Sequence, residues 1–214
     1  MTASLEKLIG IGGPALSSAS PTIDPNLLAL AGGMGVDLLE LLSQKNGFYA
    51  FESALHVFST RSDPPEIGIN EWNAPELWIN EYRGMAGSAL FFAEDIFGSQ
   101  FCIKNDGIYC FDPETGSARR LSDDLEGWAR AVLGDYNVLT GHPIAHEWQR
   151  VNGRIPIGVR LVPKVPFVLR GEFSLQNLFI FTLEAVKAMH LRGSIAMQIR
   201  DLPDGASVKL RVVD

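Results

Sequence analysis

Apolar positions along this chain follow two different spacings, and the change from one to the other divides it. The first thirty-five residues show neither. Stretches such as GGPALSSASPTIDPN and AGGMG are rich in Gly, Pro, Ala and Ser, and residues 1–35 read as a loose, partly ordered leader with one short helix over residues 4–9. The first firm helix is VDLLELLSQKNG: Val36, Leu39 and Leu42 share a face, and Asn46-Gly47 supplies the stop. Helical spacing continues through FYAFESALHVF at Phe48, Phe51, Leu55 and Phe58, which predicts a second helix. After the break STRSDPPEIG, Asn73 caps a third, with Pro75 in its first turn and Leu77, Trp78 and Tyr82 along it.

Past RGMAG the spacing shortens. SALFFAEDIF, QFCIK and IYCFD are aromatic-rich segments separated by GS, NDG and PETG, the pattern of an antiparallel meander. Ser122 then caps DDLEGWARAVLGD, where Leu125, Trp128, Val132 and Leu133 form an apolar stripe behind an acidic first turn. A long Pro- and Gly-rich connection leads to QNLFIFTLEAVKAMHLRGSIAMQIRDL, strand-like and then helical, and a last strand is expected over residues 207–213. The chain therefore reads as α+β: one domain over residues 36–214, a short antiparallel sheet flanked by helices.

Hydrophobic residues make up 46% and charged residues 20% of 214, the balance of a globular chain with a substantial core. No apolar run reaches the length of a membrane span, and MTASLEKLIGIGG lacks the basic start of a secretory signal. A cytoplasmic protein is the expectation. Cys102 and Cys110 flank the turn signal KNDG. With Asn105-Asp106-Gly107 as the loop, Lys104 pairs with Ile108 and Cys102 falls opposite Cys110, a register that would allow a disulfide. Two reduced thiols fit a chain without an export signal better.

The net charge of −7 argues against nucleic acid as a partner. Its distribution is uneven. Residues 52–100 carry eight acids and two bases, residues 101–135 seven and four, and residues 136–214 six and ten, so an acidic middle is set against a mildly basic tail.

Catalytic chemistry finds little support. Glu94 and Asp95 lie side by side in FFAEDIFGSQFCI, but on a strand they point to opposite faces and cannot work as a carboxylate pair. His142 and His146 in HPIAHE are one helical turn apart, yet Pro143 stands where a metalloprotease has Glu, and nothing nearby offers a third ligand with convincing spacing. No nucleophile elbow, Walker loop or dinucleotide motif is present. No catalytic residue, metal or cofactor is expected. Trp72 and Trp78, set among Glu66, Glu71, Glu76 and Glu81, combine aromatic and charged character as interface anchors do. Trp78, in register with Tyr82, fits a core position equally well.

The order of NGFYAFESALHVF, ALFFAEDIFGSQFCI, YCFDPETG, LEGWA and RLVPKVPFVLRGE over residues 36–212 resembles the SUKH superfamily, domains related to the yeast cell-wall synthesis regulator. The resemblance implies an α+β fold in which Phe92, Glu94, Asp95, Phe97, Gly98 and Phe101 define strands and turns. It implies no catalytic residues. It further implies a bacterial immunity protein that neutralises a cognate toxin, often a nuclease or deaminase, or else a regulatory scaffold module. An acidic surface suits a toxin with a basic cleft, and Glu66, Glu71, Trp72, Glu76, Glu81, Glu94 and Asp95 are the residues expected to carry it.

Overall fold

The computed structural model describes residues 2–179, 183–203 and 206. Its centre is a six-stranded antiparallel sheet in strict sequence order: β1 (Phe48–Ala50), β2 (Leu55–Val57), β3 (Leu90–Asp95), β4 (Gln100–Lys104), β5 (Gly107–Phe111) and β6 (Ala118–Ser122). Among the described residues eight α-helices surround it, with a separate two-stranded ribbon of β7 (Val159–Arg160) and β8 (Leu183–Glu184). The fold is α+β, as the change of apolar spacing predicts. The strand expected over residues 207–213 lies outside the described residues.

Strands β3, β4 and β5 form where the aromatic segments predict a meander, and β1, β2 and β6 extend the sheet beyond it. The pairing of β3 with β4 shifts between Phe91 and Ala93, a bulge that leaves Phe92 unpaired and lets Phe91 and Glu94 address the same face. On that face Phe91 meets Trp78 and Phe111 edge-on. On the other, Phe92 and Phe101 pack edge-on against Trp128 of helix α5 (Leu125–Gly134). A fully buried aromatic of this size contributes about 2–3 kcal/mol of transfer free energy, so these two clusters clamp the sheet from both sides. Helix α5 is capped by Asp124, whose carboxylate accepts from Gly127 N at 2.7 Å. Ser122 does not cap it, since its hydroxyl donates to Asp124 O.

Other sequence expectations also differ from the structure. Residues 48–58 form the β1–β2 hairpin instead of a helix. Phe51, Glu52 and Ser53 turn the chain in left-handed conformation (φ 51°, 54° and 70°), and every residue of β2 is buried. A strand covered on both faces shows no alternation, so chance helical spacing was its only periodic signal. Asn73 caps no following helix. It ends a short helix, α4 (Ile69–Trp72), and its amide reaches β3, accepting from Phe91 N and donating to Phe91 O, both at 2.8 Å. The β4–β5 turn is tighter by one residue: Lys104 pairs with Gly107 and Cys102 with Tyr109, while Cys110 faces Phe101. The two cysteines thus lie on opposite faces, and both are free thiols.

The N-terminal segment, finally, is built into the core. Helices α1 (Ala3–Ile11), α2 (Pro25–Ala31) and α3 (Met34–Gln44) occupy it, and Leu5, Leu8, Ile23 and Ala31 join the main apolar cluster. Within residues 1–35 the sequence predicts only the short helix near residues 4–9. Helix α1 packs on α5, and its first turn is closed by Glu126 of α5. That carboxylate accepts from Ser4 N and Leu5 N at 3.1 and 3.2 Å and from the Thr2 hydroxyl. These bonds hold the Glu126 carboxyl down at about 2.

Candidate functional site

Strand register places Tyr49, His56, Glu94 and Gln100 opposite one another across β1, β2, β3 and β4. Each step is bonded or packed. Tyr49 stacks on His56 with ring centroids 4.3 Å apart. The Tyr49 hydroxyl donates to Glu66 Oε1 at 2.6 Å and accepts from Gly158 N at 3.2 Å. Glu66 Oε2 lies 3.1 Å from His56 Nε2, as an ion contact and not an aligned hydrogen bond. Gln100 Nε2 donates to Glu94 Oε2 at 3.0 Å, and Gln100 Oε1 accepts from the Trp72 indole at 2.8 Å.

Arg160 of β7 completes this ladder from above, bonding Glu94 Oε1 and approaching His56 Nδ1 at 2.8 Å. His56 Nδ1 also lies 3.2 Å from Glu94 Oε1, so the imidazole stands between two carboxylates and the guanidinium. Burial pushes the Glu94 carboxyl up, but Arg160 and His56 outweigh it and hold it below the ordinary range. Glu66 behaves alike: burial is outweighed by His56 and Tyr49. Burial also raises the Tyr49 hydroxyl. The void bordered by His56, Glu66, Glu94 and Gly158 measures about 20 Å³, room for one water at most. Arg160 was not singled out in the sequence, because nothing local pairs it with a residue 66 positions earlier.

Asp95 does a different job. Its Oδ1 accepts from Phe97 N at 2.8 Å and Ser99 N at 2.7 Å, shaping the β3–β4 turn in which Gly98 takes a φ of 84°. Burial raises its carboxyl to about 6.

The seven predicted surface residues therefore separate. Glu66, Trp72, Glu94 and Asp95 are buried and present nothing to a partner. Trp72, 1% exposed, is a core residue between Phe58 and Trp78. Glu71, Glu76 and Glu81 are exposed. Glu71 accepts from the Ser62 hydroxyl, Glu81 meets His190 at 3.1 Å, and Glu76 makes no polar contact among the described residues. Next to them runs a groove of about 730 Å³ between α2 and residues 70–89, lined by Ile23, Pro25, Leu27, Leu30, Pro75 and Ile79 among others.

Among the described residues, no single helix is long and apolar enough to cross a membrane. No family model matches the sequence, and no curated protein matches it. A solved structure, described as the crystal structure of Atu4351 from Agrobacterium tumefaciens, superimposes with a TM-score of 0.53 at 10% identity. The match covers 88% of each chain, which is a likeness of fold alone.

Proposed function

We propose that this chain is a non-enzymatic, cytoplasmic immunity protein of SUKH type that neutralises a cognate toxin domain through an acidic surface. The observation that carries this reading is the edge formed by residues 70–81. Trp72, Trp78 and Tyr82 are buried and anchor the segment, while Glu71 and Glu76 directly follow the groove-lining Asn70 and Pro75. An apolar groove whose lining residues are followed by exposed carboxylates fits a partner with a basic face and an apolar side chain to insert. The buried ladder supports the non-enzymatic part, since its carboxylates are paired with Arg160 and His56 beside a void too small for a substrate.

Calorimetric titration against a toxin domain encoded beside this gene, at low and high salt, tests the proposal. Tight binding that weakens with salt is expected, and Glu71→Lys with Glu76→Lys should lower affinity and flatten the salt dependence. No binding at either salt would overturn it in favour of a regulatory or scaffold module unrelated to toxins.

A further inference from the structure

The β1–β2 turn and the start of helix α7 (His142–Asn152) bring together three side chains that the sequence keeps far apart. Glu52 Oε2 lies 2.7 Å from His146 Nδ1 and 3.8 Å from His142 Nε2. The three donor atoms all fall within 4.8 Å of one another. Donors around a tetrahedral zinc, at metal distances near 2.0–2.1 Å, stand roughly 3.3 Å apart. The two separations from Glu52 straddle that value and the third lies within 4.8 Å, so modest side-chain shifts would bring all three to one ion.

The sequence showed the two histidines one helical turn apart but lacked a third ligand, because Glu52 precedes His146 by 94 residues. What delivers it is the left-handed turn at Phe51, Glu52 and Ser53. Two contacts outside the trio hold this turn against the helical layer. Phe51 stacks on Tyr136 at 4.7 Å, and Gln149 Nε2 of α7 donates to Glu52 O at 2.9 Å. The His142 ring is steadied by Tyr136, edge-on at 5.2 Å. Helix α7 itself begins abruptly after Gly141, whose φ of 71° and close approach to Phe97 only glycine accommodates. Ligand positions fixed by such outside contacts lose little freedom on binding an ion.

We propose that Glu52, His142 and His146 bind one divalent transition-metal ion of zinc's chemical class, which clips the β1–β2 hairpin to α7. Two imidazoles and a carboxylate are the donors that borderline ions such as zinc select, while calcium and magnesium require oxygen sets. Three protein ligands leave a fourth position for water. The site is independent of the acidic edge at residues 70–81, and its loss would leave toxin binding through that edge unaffected.

The test is titration of the full chain with zinc chloride by calorimetry, with magnesium and calcium chloride as controls and cobalt(II) absorption as a readout of geometry. One zinc per chain, no response to magnesium or calcium, and the intense visible bands of tetrahedral cobalt are expected. Loss of a supporting residue around a metal commonly costs 10–100-fold in affinity. Removal of a ligand in His142→Ala, His146→Ala or Glu52→Gln should therefore weaken zinc by at least about tenfold. All three positions are partly or fully exposed, and metal-free circular dichroism and Tm of each variant should match the parent. The absence of zinc binding by the folded chain would overturn the proposal, as would octahedral cobalt spectra or unchanged affinity in any one variant.

Discussion

Arg160 and Glu94 meet in the interior of the protein with 1% of each side chain exposed. The pair joins the two-stranded ribbon to the third strand of the main sheet, and Arg160 Nε has no partner among the described residues. Removing one member of such a pair leaves an uncompensated charge and costs about 3–5 kcal/mol. Arg160→Met should lower unfolding stability by that order in urea. Combining it with Glu94→Gln should cost less than the two single changes added together, because the stranded charge is gone. Strict additivity would mean that the two groups do not interact.

Asp95 should make stability fall as pH rises through a defined window. Its folded value of about 6 lies above the roughly 3.9 of an unfolded aspartate, so the folded chain holds the proton more firmly. That contribution is complete below about pH 4 and lost as pH passes about 6. Glu94 and Glu66, held low, act in the opposite sense. The comparison of parent and Asp95→Asn isolates the first effect. The asparagine carbonyl still accepts from Phe97 and Ser99, so the variant should gain on the order of 2–3 kcal/mol relative to the parent between pH 4 and pH 8. Urea midpoints across that range measure the difference, and a pH-independent difference would exclude it.

Trp72 tests the distinction between core and contact surface. Trp72→Phe removes the indole bond to Gln100 and leaves a void, at an expected cost of about 2–3 kcal/mol. Affinity for the partner, measured below the unfolding transition, should remain that of the parent. Glu76→Lys should do the reverse, with stability kept and affinity reduced. An affinity loss in folded Trp72→Phe would return this indole to the interface.

The thiols of Cys102 and Cys110 should be inert in the native state. Burial pushes each up to about 12, and only a thiolate reacts readily. Ellman's reagent at pH 8 should label neither until guanidinium unfolds the chain, and both thereafter. With the two residues on opposite faces of the hairpin, Tm should be the same with and without reductant.

Residues 88–134 were the most legible part of the chain. Aromatic segments with clear turn residues between them gave the meander, and the stripe through Leu125, Trp128 and Val132 gave α5. The first hairpin was misread because β2 is buried on both faces and so carries no alternation. In the Gly- and Pro-rich start only Leu5 and Leu8 share a helical face; Ile23 and Ala31 show none, yet each is placed in the core by neighbours far along the chain. Of the acidic residues, those on strands (Glu94 and Asp95) were correctly separated by alternation. Nothing in the sequence distinguished buried Glu66 from exposed Glu71 and Glu76.

Composition and periodicity by themselves determined the class of fold, the net negative charge and the position of the three central strands β3, β4 and β5, since these depend on local spacing and on sums over residues. Tertiary structure alone decided which charges are available. Glu94 is neutralised by Arg160, 66 residues later, and Glu52 is carried to His142 and His146 by a turn and a helix start that adjoin only in three dimensions. Burial and pairing are properties of the whole packed chain, and they set whether a carboxylate holds the sheet together or faces the solvent.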